Sequence, residues 1–461
     1  MLSLQKGMNN VHHVLKTDNI ANIALRMLAC INKETVRHSV RTAYLAYKIA
    51  CIHPMGKGCK LENLILLALF HTIGFFREDI HFNYSPHQSN TNYFSHDKSI
   101  ESKYVFACYY LEFMTPLKKD ALALQNFLQP YSKDLRSYLY QEEYKDIIYL
   151  CARISDYVMK NKESPLPEDL NNLEPGYFDP EYVKVFSQAN KNNILTDTIK
   201  NNTHVEELSN VISKIQFSEE ENKSFDKIIV HLLDFKSTST MKHSINTSCY
   251  AVSLGLRMNL NDKELTTLFN SAFLHDIGKI ATPQSILEFP GKLSPEDMGI
   301  MRHHVNHSKR ILNGHVSDEI LETVYRHHEK LNGKGYPKHL KGNDLTTIQK
   351  ILTVADITSA LNDSRSYKGE FSKEKTISII QNMTKNGELD SEITQYVVND
   401  YDQLIEEQHT LQNMLSVDFS KVITNYNDYI LNDAGILADS IINNSDSDID
   451  DIEDLEELEE L

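Results

Sequence analysis

Nine of the twenty histidines fall between His231 and His328, about a fifth of the chain. The groups that stand out are His243, the pair His275-Asp276, His304, the pair His327-His328, and Asp356. Each is predicted on, or at the end of, a different helix. Five helices converging on one point can surround cations with neutral imidazoles and carboxylates. That donor mix suits iron, manganese or zinc better than calcium or magnesium. An aspartate beside a histidine can bridge two ions while its neighbour binds one. Two ions about 3.5–4 Å apart can hold a hydroxide, draw charge from a phosphate oxygen and steady a leaving alkoxide. The donor set therefore points to phosphoester hydrolysis. Alone, His243 reads as a packed or surface histidine, and His275-Asp276 as an ion pair at a helix end. His303, His304 and His307 share one polar helix, in which one or two are plain surface residues. The combination is what favours a metal site.

The elements that must position these groups read as helices. The 461 residues include only 16 glycines and 12 prolines. Leu265, Leu268, Phe269, Ala272 and Phe273 follow i, i+3, i+4 spacing. Strand-like alternation is rare, so the expected class is all-α. Two regions also resemble each other. His38-Ser39 precedes His71-Thr72-Ile73-Gly74 much as His243-Ser244 precedes His275-Asp276-Ile277-Gly278. Ile154-Ser155-Asp156 parallels Val354-Ala355-Asp356, and Gly176 to Glu181 parallels Gly387 to Glu392. Four matches in the same order predict tandem copies of one helical unit. The expected organisation is a first copy at 1–190, a linker at 191–219 and a second copy at 220–400. A helical extension at 401–444 and an acidic tail at 445–461 follow. The tail reads as solvated, with a docking helix as the sharper alternative.

Composition narrows the function classes. The hydrophobic fraction is 41%, enough for a core. The net charge is −17, and ten of the acids lie in Asp446 to Leu461. The mildly acidic remainder argues against broad binding to duplex nucleic acid or anionic lipid. It leaves room for a small basic pocket for a phosphorylated ligand. No apolar run approaches the ~18 residues of a membrane span, so no membrane insertion is expected. The six cysteines form no CxxC pair and read as reduced, mostly buried thiols of a cytoplasmic protein.

His275-Asp276-Ile277-Gly278-Lys279, followed by His327-His328-Glu329 and Asn332-Gly333-Lys334-Gly335-Tyr336-Pro337, resembles the HD-GYP family. These are bacterial metal-dependent phosphodiesterases of the second messenger cyclic di-GMP, on the helical HD phosphohydrolase fold. The resemblance covers about 230–400. It includes Ile280 to Pro283, Pro290 to Ser294, Asp356, and Arg365-Ser366-Tyr367-Lys368. It implies metal ligands at His243, His275, Asp276, His304, His327, His328 and Asp356, with Asp276 bridging. His304 is preferred over His303 as the helix ligand. Lys279 would contact the scissile phosphate or help protonate the leaving group. Arg365 and Lys368 would grip phosphates. Gly335, Tyr336 and Pro337 belong to the substrate-side loop. There Tyr336 is read as stacking on guanine or docking a partner, with a rigid turn as the plain alternative. The implied cofactors are two divalent ions, iron or manganese. The implied reaction is hydrolysis of cyclic di-GMP to pGpG, or onward to GMP, through a metal-bridging hydroxide.

The chain departs from the family at Asn332 and Ser359, where aspartate is usual. Ser239 stands where some members carry a glutamate for a third metal, so a two-metal site is expected. The first copy has Thr72 in place of the bridging aspartate and Phe75 in place of the lysine. It is a degenerate copy, expected to hydrolyse nothing and to act by sensing, packing or dimerising. The reading admits a homodimer, and a signalling partner at the GYP loop or the acidic tail. The competing functions are a phosphodiesterase of another cyclic dinucleotide, such as cyclic GMP-AMP, and a low-activity nucleotide-binding scaffold. Ligand histidines must be neutral, so activity is expected to fall below about pH 6.

Overall fold

A computed structural model describes residues 15–77, 93–236, 238–363, 371–415 and 421–429. Among them there is no strand, and Asn332 and Lys341 form an isolated bridge. Arg365, Lys368 and the acidic tail lie outside the described residues, as does the Ser239 side chain.

The principal helices of the first half are α1 (Thr17–Ile31), α2 (Lys33–Ile52), α3 (Leu61–Phe70), α4 (Lys98–Met114), α5 (Gln141–Lys160) and α6 (Pro180–Ala189). The stretch expected as a linker is itself helical. It holds α7 (Ile194–Lys200) and α8 (His204–Ile212), and α9 (Glu219–Phe225) follows. Its Asn- and Lys-rich composition suggested a connector. Leu195, Ile199, Leu208 and Ile212 are spaced i, i+4, and all four are buried.

The second half comprises α10 (Thr238–Arg257), α11 (Asp262–Leu274), α12 (Pro295–Arg302), α13 (His304–Leu312), α14 (Asp318–Tyr325), α15 (Thr347–Asn362), α16 (Lys373–Lys385), α17 (Ser391–Asn399) and α18 (Tyr401–Leu415). Helix starts follow local chemistry. Asn261 with Glu264 and Thr346 with Gln349 make capping boxes at α11 and α15. The core gathers Tyr250 and Leu254 of α10, Leu268 and Ala272 of α11, and Ile351 and Leu352 of α15. Ile393 and Val397 of α17 and Leu404 of α18 complete it. Burying each such leucine or isoleucine contributes roughly 1.5–3 kcal/mol. That core holds α10, α11 and α15 together: α10 carries His243, α15 carries Asp356, and His275 directly follows α11.

The two halves repeat local devices. Asp179 caps α6 by accepting from the Glu181 N–H, and Asp390 caps α17 by accepting from the Glu392 N–H. The preceding Gly176 and Gly387 both have positive φ, +83° and +68°. A Cβ on Gly74 would lie 2.0 Å from the Lys103 carbonyl oxygen, and one on Gly278 would lie 2.0 Å from the His304 carbonyl oxygen. In each half a glycine lets the turn after the His-x dipeptide touch a later helix, α4 in the first and α13 in the second.

Residues up to Val417 form one unit, and the halves are joined within it. Phe106 and Tyr110 pack edge-on against Phe235, at 6.1 and 5.4 Å between centroids. Thr17 Oγ1 donates to Asn222 Oδ1 at 2.8 Å. Arg26 of α1 donates to the carbonyls of Ile311 and Asn313 at 3.0 and 2.8 Å, with Arg310 at 3.3 Å. It therefore caps the C-terminal end of α13, where carbonyls lack helical partners and the dipole favours a cation. Arg26→Ala is expected to lower unfolding free energy by about 1–2 kcal/mol, with Arg26→Lys recovering part of the loss. Denaturant melts of the three proteins measure this.

The described part of the second unit, Asp418–Leu461, is a helix at 421–429. Of the six cysteines, all free, Cys108, Cys151 and Cys249 are buried and Cys51 is exposed. The thiols are thus less uniformly buried than expected, because Cys51 sits on the outer face of α2.

Candidate metal centre

The His275-Asp276 turn starts at the end of α11. Buried Leu268 and Ala272 set that helix against the core, and the chain then tightens into a 3-10 turn at Ile277–Ala281. His275 and Asp276 project from this junction. Ser308 of α13 fixes it from the other side. Its Oγ donates to the His275 carbonyl and accepts from the Gly278 N–H, both at 2.9 Å.

The structure brings His243, His275, Asp276, His304, His327, His328 and Asp356 into one cage. Asp276 Oδ2 lies 3.2 Å from His275 Nε2 and 3.7 Å from His243 Nε2. Its Oδ1 lies 3.4 Å from His304 Nε2 and 4.0 Å from His327 Nε2. The two carboxylate oxygens thus face two different histidine groups. Asp356 does the same: Oδ1 is 3.0 Å from His243 Nε2, and Oδ2 is 3.5 Å from His328 Nδ1. Two sets of nitrogen and oxygen donors result. One contains His243, His275 and Asp276; the other contains His304, His327 and His328.

Ring orientation is set by the backbone. His275, His304 and His327 each donate Nδ1–H to the carbonyl three residues earlier, on Ala272, Met301 and Val324, at 2.6, 2.8 and 2.6 Å. That fixes the tautomer and leaves Nε2 as a lone-pair donor. His303 is exposed, so of the two neighbours His304 is the one that enters the cage.

Electrostatics fit cation binding. Burial lowers His304 to about 4 and His327 to about 3, so these rings stay neutral. The loss of activity expected below pH 6 therefore does not originate in them. Burial would raise Asp276 and Asp356. Neighbouring His275 and Lys279 outweigh it at Asp276, and the His243 hydrogen bond and His328 outweigh it at Asp356, so both carboxylates sit well below their ordinary value. Burial would lower His243, yet Asp356 and Asp363 raise it to about 9. Negative charge here is in excess and draws positive charge inward. Neither His275 Nε2 nor Asp276 Oδ1, both fully buried, has a hydrogen-bond partner. Leaving such atoms unsatisfied is costly, and a metal ion would satisfy both.

Sequence reasoning missed three supporting groups. Asp363 Oδ2 accepts from His243 Nδ1 at 2.9 Å and from Ser359 Oγ at 2.9 Å. An acidic carboxylate thus reaches His243 from one turn beyond Ser359. Buried Glu329 accepts from the N–H groups of Lys338 and Leu340, at 2.5 and 2.9 Å, and so closes the loop after His328. Arg302 lies over the Tyr336 ring at 5.2 Å. The only sequence signal was adjacency of Glu329 to His327-His328.

Lys279 forms an ion pair with Asp276 Oδ2 at the cavity edge. Gly335 runs against the chain: a Cβ there would meet Glu329 Cα at 2.4 Å. Tyr336 packs on His328 with centroids 4.7 Å apart, and a cis peptide bond joins it to Pro337. A cavity of 360 Å³ opens on this side of the cage, lined by His243, Lys279, His304, His328 and Tyr336 among others.

The first half keeps only part of this. His38 and His71 are 5.4 Å apart between centroids, close to the 5.5 Å of His243 and His275. Thr72 bonds Ser39 at 2.7 Å instead of presenting a carboxylate. Asp156 turns to Lys160 at 3.0 Å. Tyr93 stacks on His38 at 4.5 Å, and Phe75 packs against Tyr93 and Tyr104. Aromatic rings fill the place of the cage.

Among the described residues no helix is long and apolar enough to cross a membrane. Comparison with known proteins agrees with the geometry. A relative named 3'3'-cGAMP-specific phosphodiesterase 1, from Vibrio cholerae, is 26% identical over 51% of this chain and 56% of its own length. One named 3'3'-cGAMP-specific phosphodiesterase 2, from the same organism, is 35% identical over 32% of this chain and 29% of its own. A Thermotoga maritima protein named cyclic di-GMP phosphodiesterase is 31% identical over 36% of this chain and 47% of its own. The chain spans about half the length, or less, of these relatives. A crystal structure of a V. cholerae cyclic GMP-AMP-specific phosphodiesterase shares the fold, with a TM-score of 0.53 and 16% identity, over 87% of this chain and 99% of that one. Residues 227–393 match the HD domain family model.

Proposed function

We propose that the chain is a metal-dependent phosphodiesterase that opens a cyclic dinucleotide, with cyclic di-GMP to pGpG as the first reading. The observation that carries it is the doubled donor set, in which Asp276 turns one oxygen to each histidine group. His243, His275, Asp276 and Asp356 would hold one divalent ion. Asp276, His304, His327 and His328 would hold the other. When bound, two such ions, iron or manganese, supply charge neutralisation at the scissile phosphate and lower the pKa of the attacking water. The protein's own groups do the rest. Asp363 orients His243. Ser308 locks the HD turn. Lys279 sets its Nζ at the cavity edge, where it meets a phosphate and can give a proton to the leaving oxygen. The Glu329-closed loop holds Tyr336 against His328. Arg365 and Lys368 belong to the reading as phosphate grips by sequence alone.

A second reading, 3'3'-cGAMP as substrate, is favoured by the names of two of the relatives above. The test is anaerobic purification, reconstitution with iron or manganese, and turnover of both dinucleotides side by side. Linear product from either supports the reading, and the larger kcat/KM names the substrate. No product from either, with metal bound, overturns it. The same reading places the protein in the cytoplasm and gives the first half a regulatory role.

A further inference from the structure

The cavity beside the cage has a second wall that no metal needs. We propose that this wall, centred on Phe289, receives a purine base of the cyclic dinucleotide. The inference rests on the function proposed above and names how that site holds its substrate.

Phe289, Leu293, Met298 and Met301 line the same 360 Å³ cavity as His243, His304 and His328. Its size falls within the roughly 300–1,000 Å³ usual for small-molecule sites. Phe289 is 46% exposed and Met298 36% exposed. Single exposed apolar side chains are ordinary, but these converge on one concavity next to a polar cage. The turn after Phe289 also leaves room for its ring. Gly291 donates its N–H to the Phe289 carbonyl at 2.9 Å, and a Cβ on Gly291 would come 3.2 Å from the ring. The glycine lets the ring lie over the turn and face the cavity.

Charge complements the apolar wall. Lys242, Lys279 and Lys292 border the same cavity. An apolar platform, several ammonium groups and a cation cage match a ligand with flat bases and two phosphodiesters. Tyr336 is less suited to the base, because its ring already contacts His328 and the Arg302 guanidinium. Stacking on a phenyl ring is available to adenine and guanine alike. The wall therefore contributes affinity, while base choice is made elsewhere.

The experiment uses the full chain loaded with Mn²⁺, with steady-state turnover of cyclic di-GMP and 3'3'-cGAMP and calorimetric binding of each. Phe289→Ala is expected to raise KM about tenfold while kcat falls less than threefold. Phe289→Trp is expected to restore KM, and Mn²⁺ affinity stays at the wild-type value in both. Phe289→Ala with an unchanged KM overturns the inference, as does a loss confined to kcat. Wild type that binds a dinucleotide without turning it over overturns the proposed function instead. In that case unchanged binding by Phe289→Ala overturns the inference, and a tenfold weaker binding supports it. Wild type that binds neither dinucleotide overturns both.

Discussion

Asp276→Asn is expected to lower phosphodiester turnover by at least about a thousandfold and to leave no more than one tightly held divalent ion. The substitution keeps the shape and removes the charge. Asp276, like Asp356, turns its two oxygens to both imidazole sets, with His275 on one side and His304 on the other. An amide offers one oxygen and a nitrogen that repels a cation. It also deprives Lys279 of its partner. Circular dichroism should match wild type, so the loss is chemical. The variant has a second use. It leaves His38 and His71 untouched, so its residual rate measures what the first half can do. Thr72 and Phe75 supply neither carboxylate nor phosphate contact, and the residual rate should equal background. Turnover within tenfold of wild type would contradict both points.

The second large effect is expected at Gly278. A Cβ there would meet the His304 carbonyl at 2.0 Å and the Ser308 backbone nitrogen at 2.4 Å. Both are main-chain atoms of α13, which cannot swing aside as a side chain would. Helix α13 must move away from the HD turn, taking His304 with it and breaking both Ser308 bonds. Gly278→Ala should cost about 3 kcal/mol or more in stability. It should also weaken Mn²⁺ binding by about tenfold or more, because His304 leaves its place beside Asp276. Gly74→Ala provides the control. It forces the same clash, 2.0 Å to the Lys103 carbonyl, in the half that lacks the cage. It should lower stability comparably and leave Mn²⁺ affinity of the folded protein within about twofold. Denaturant melts paired with Mn²⁺ titrations read both. Equal loss of metal affinity in the two variants would contradict the assignment of the cage to the second half.

The candidate ligand groups could be picked out in the sequence because their chemistry is local. A His-Asp doublet at a helix end and a His-His doublet keep their identity wherever the chain goes. The all-α class was equally accessible, since i, i+4 spacing such as Leu268 with Ala272 appears in any window. What escaped was whatever depends on the fold. Asp363 carries no motif, and it matters because α15 ends where His243 Nδ1 lies. Ser308 looks like any helix serine until Gly278 is seen against it. Phe289 directly precedes the Pro290 to Ser294 motif and carries no signal of its own. Asn- and Lys-rich composition misled at 191–219, where four apolar residues in register outweighed their polar neighbours. Stacking on a base, docking a partner and a rigid turn are all open to Tyr336 in the sequence; the structure sets its ring against His328 and Arg302.

The most direct measurement is metal content of anaerobically purified full-length protein, combined with anomalous diffraction at the iron or manganese edge. Two ions per chain are expected, one on each side of Asp276, the first beside His243 and His275 and the second beside His304, His327 and His328. A chain that takes up no ion there, or that holds its ions away from Asp276, would contradict the account.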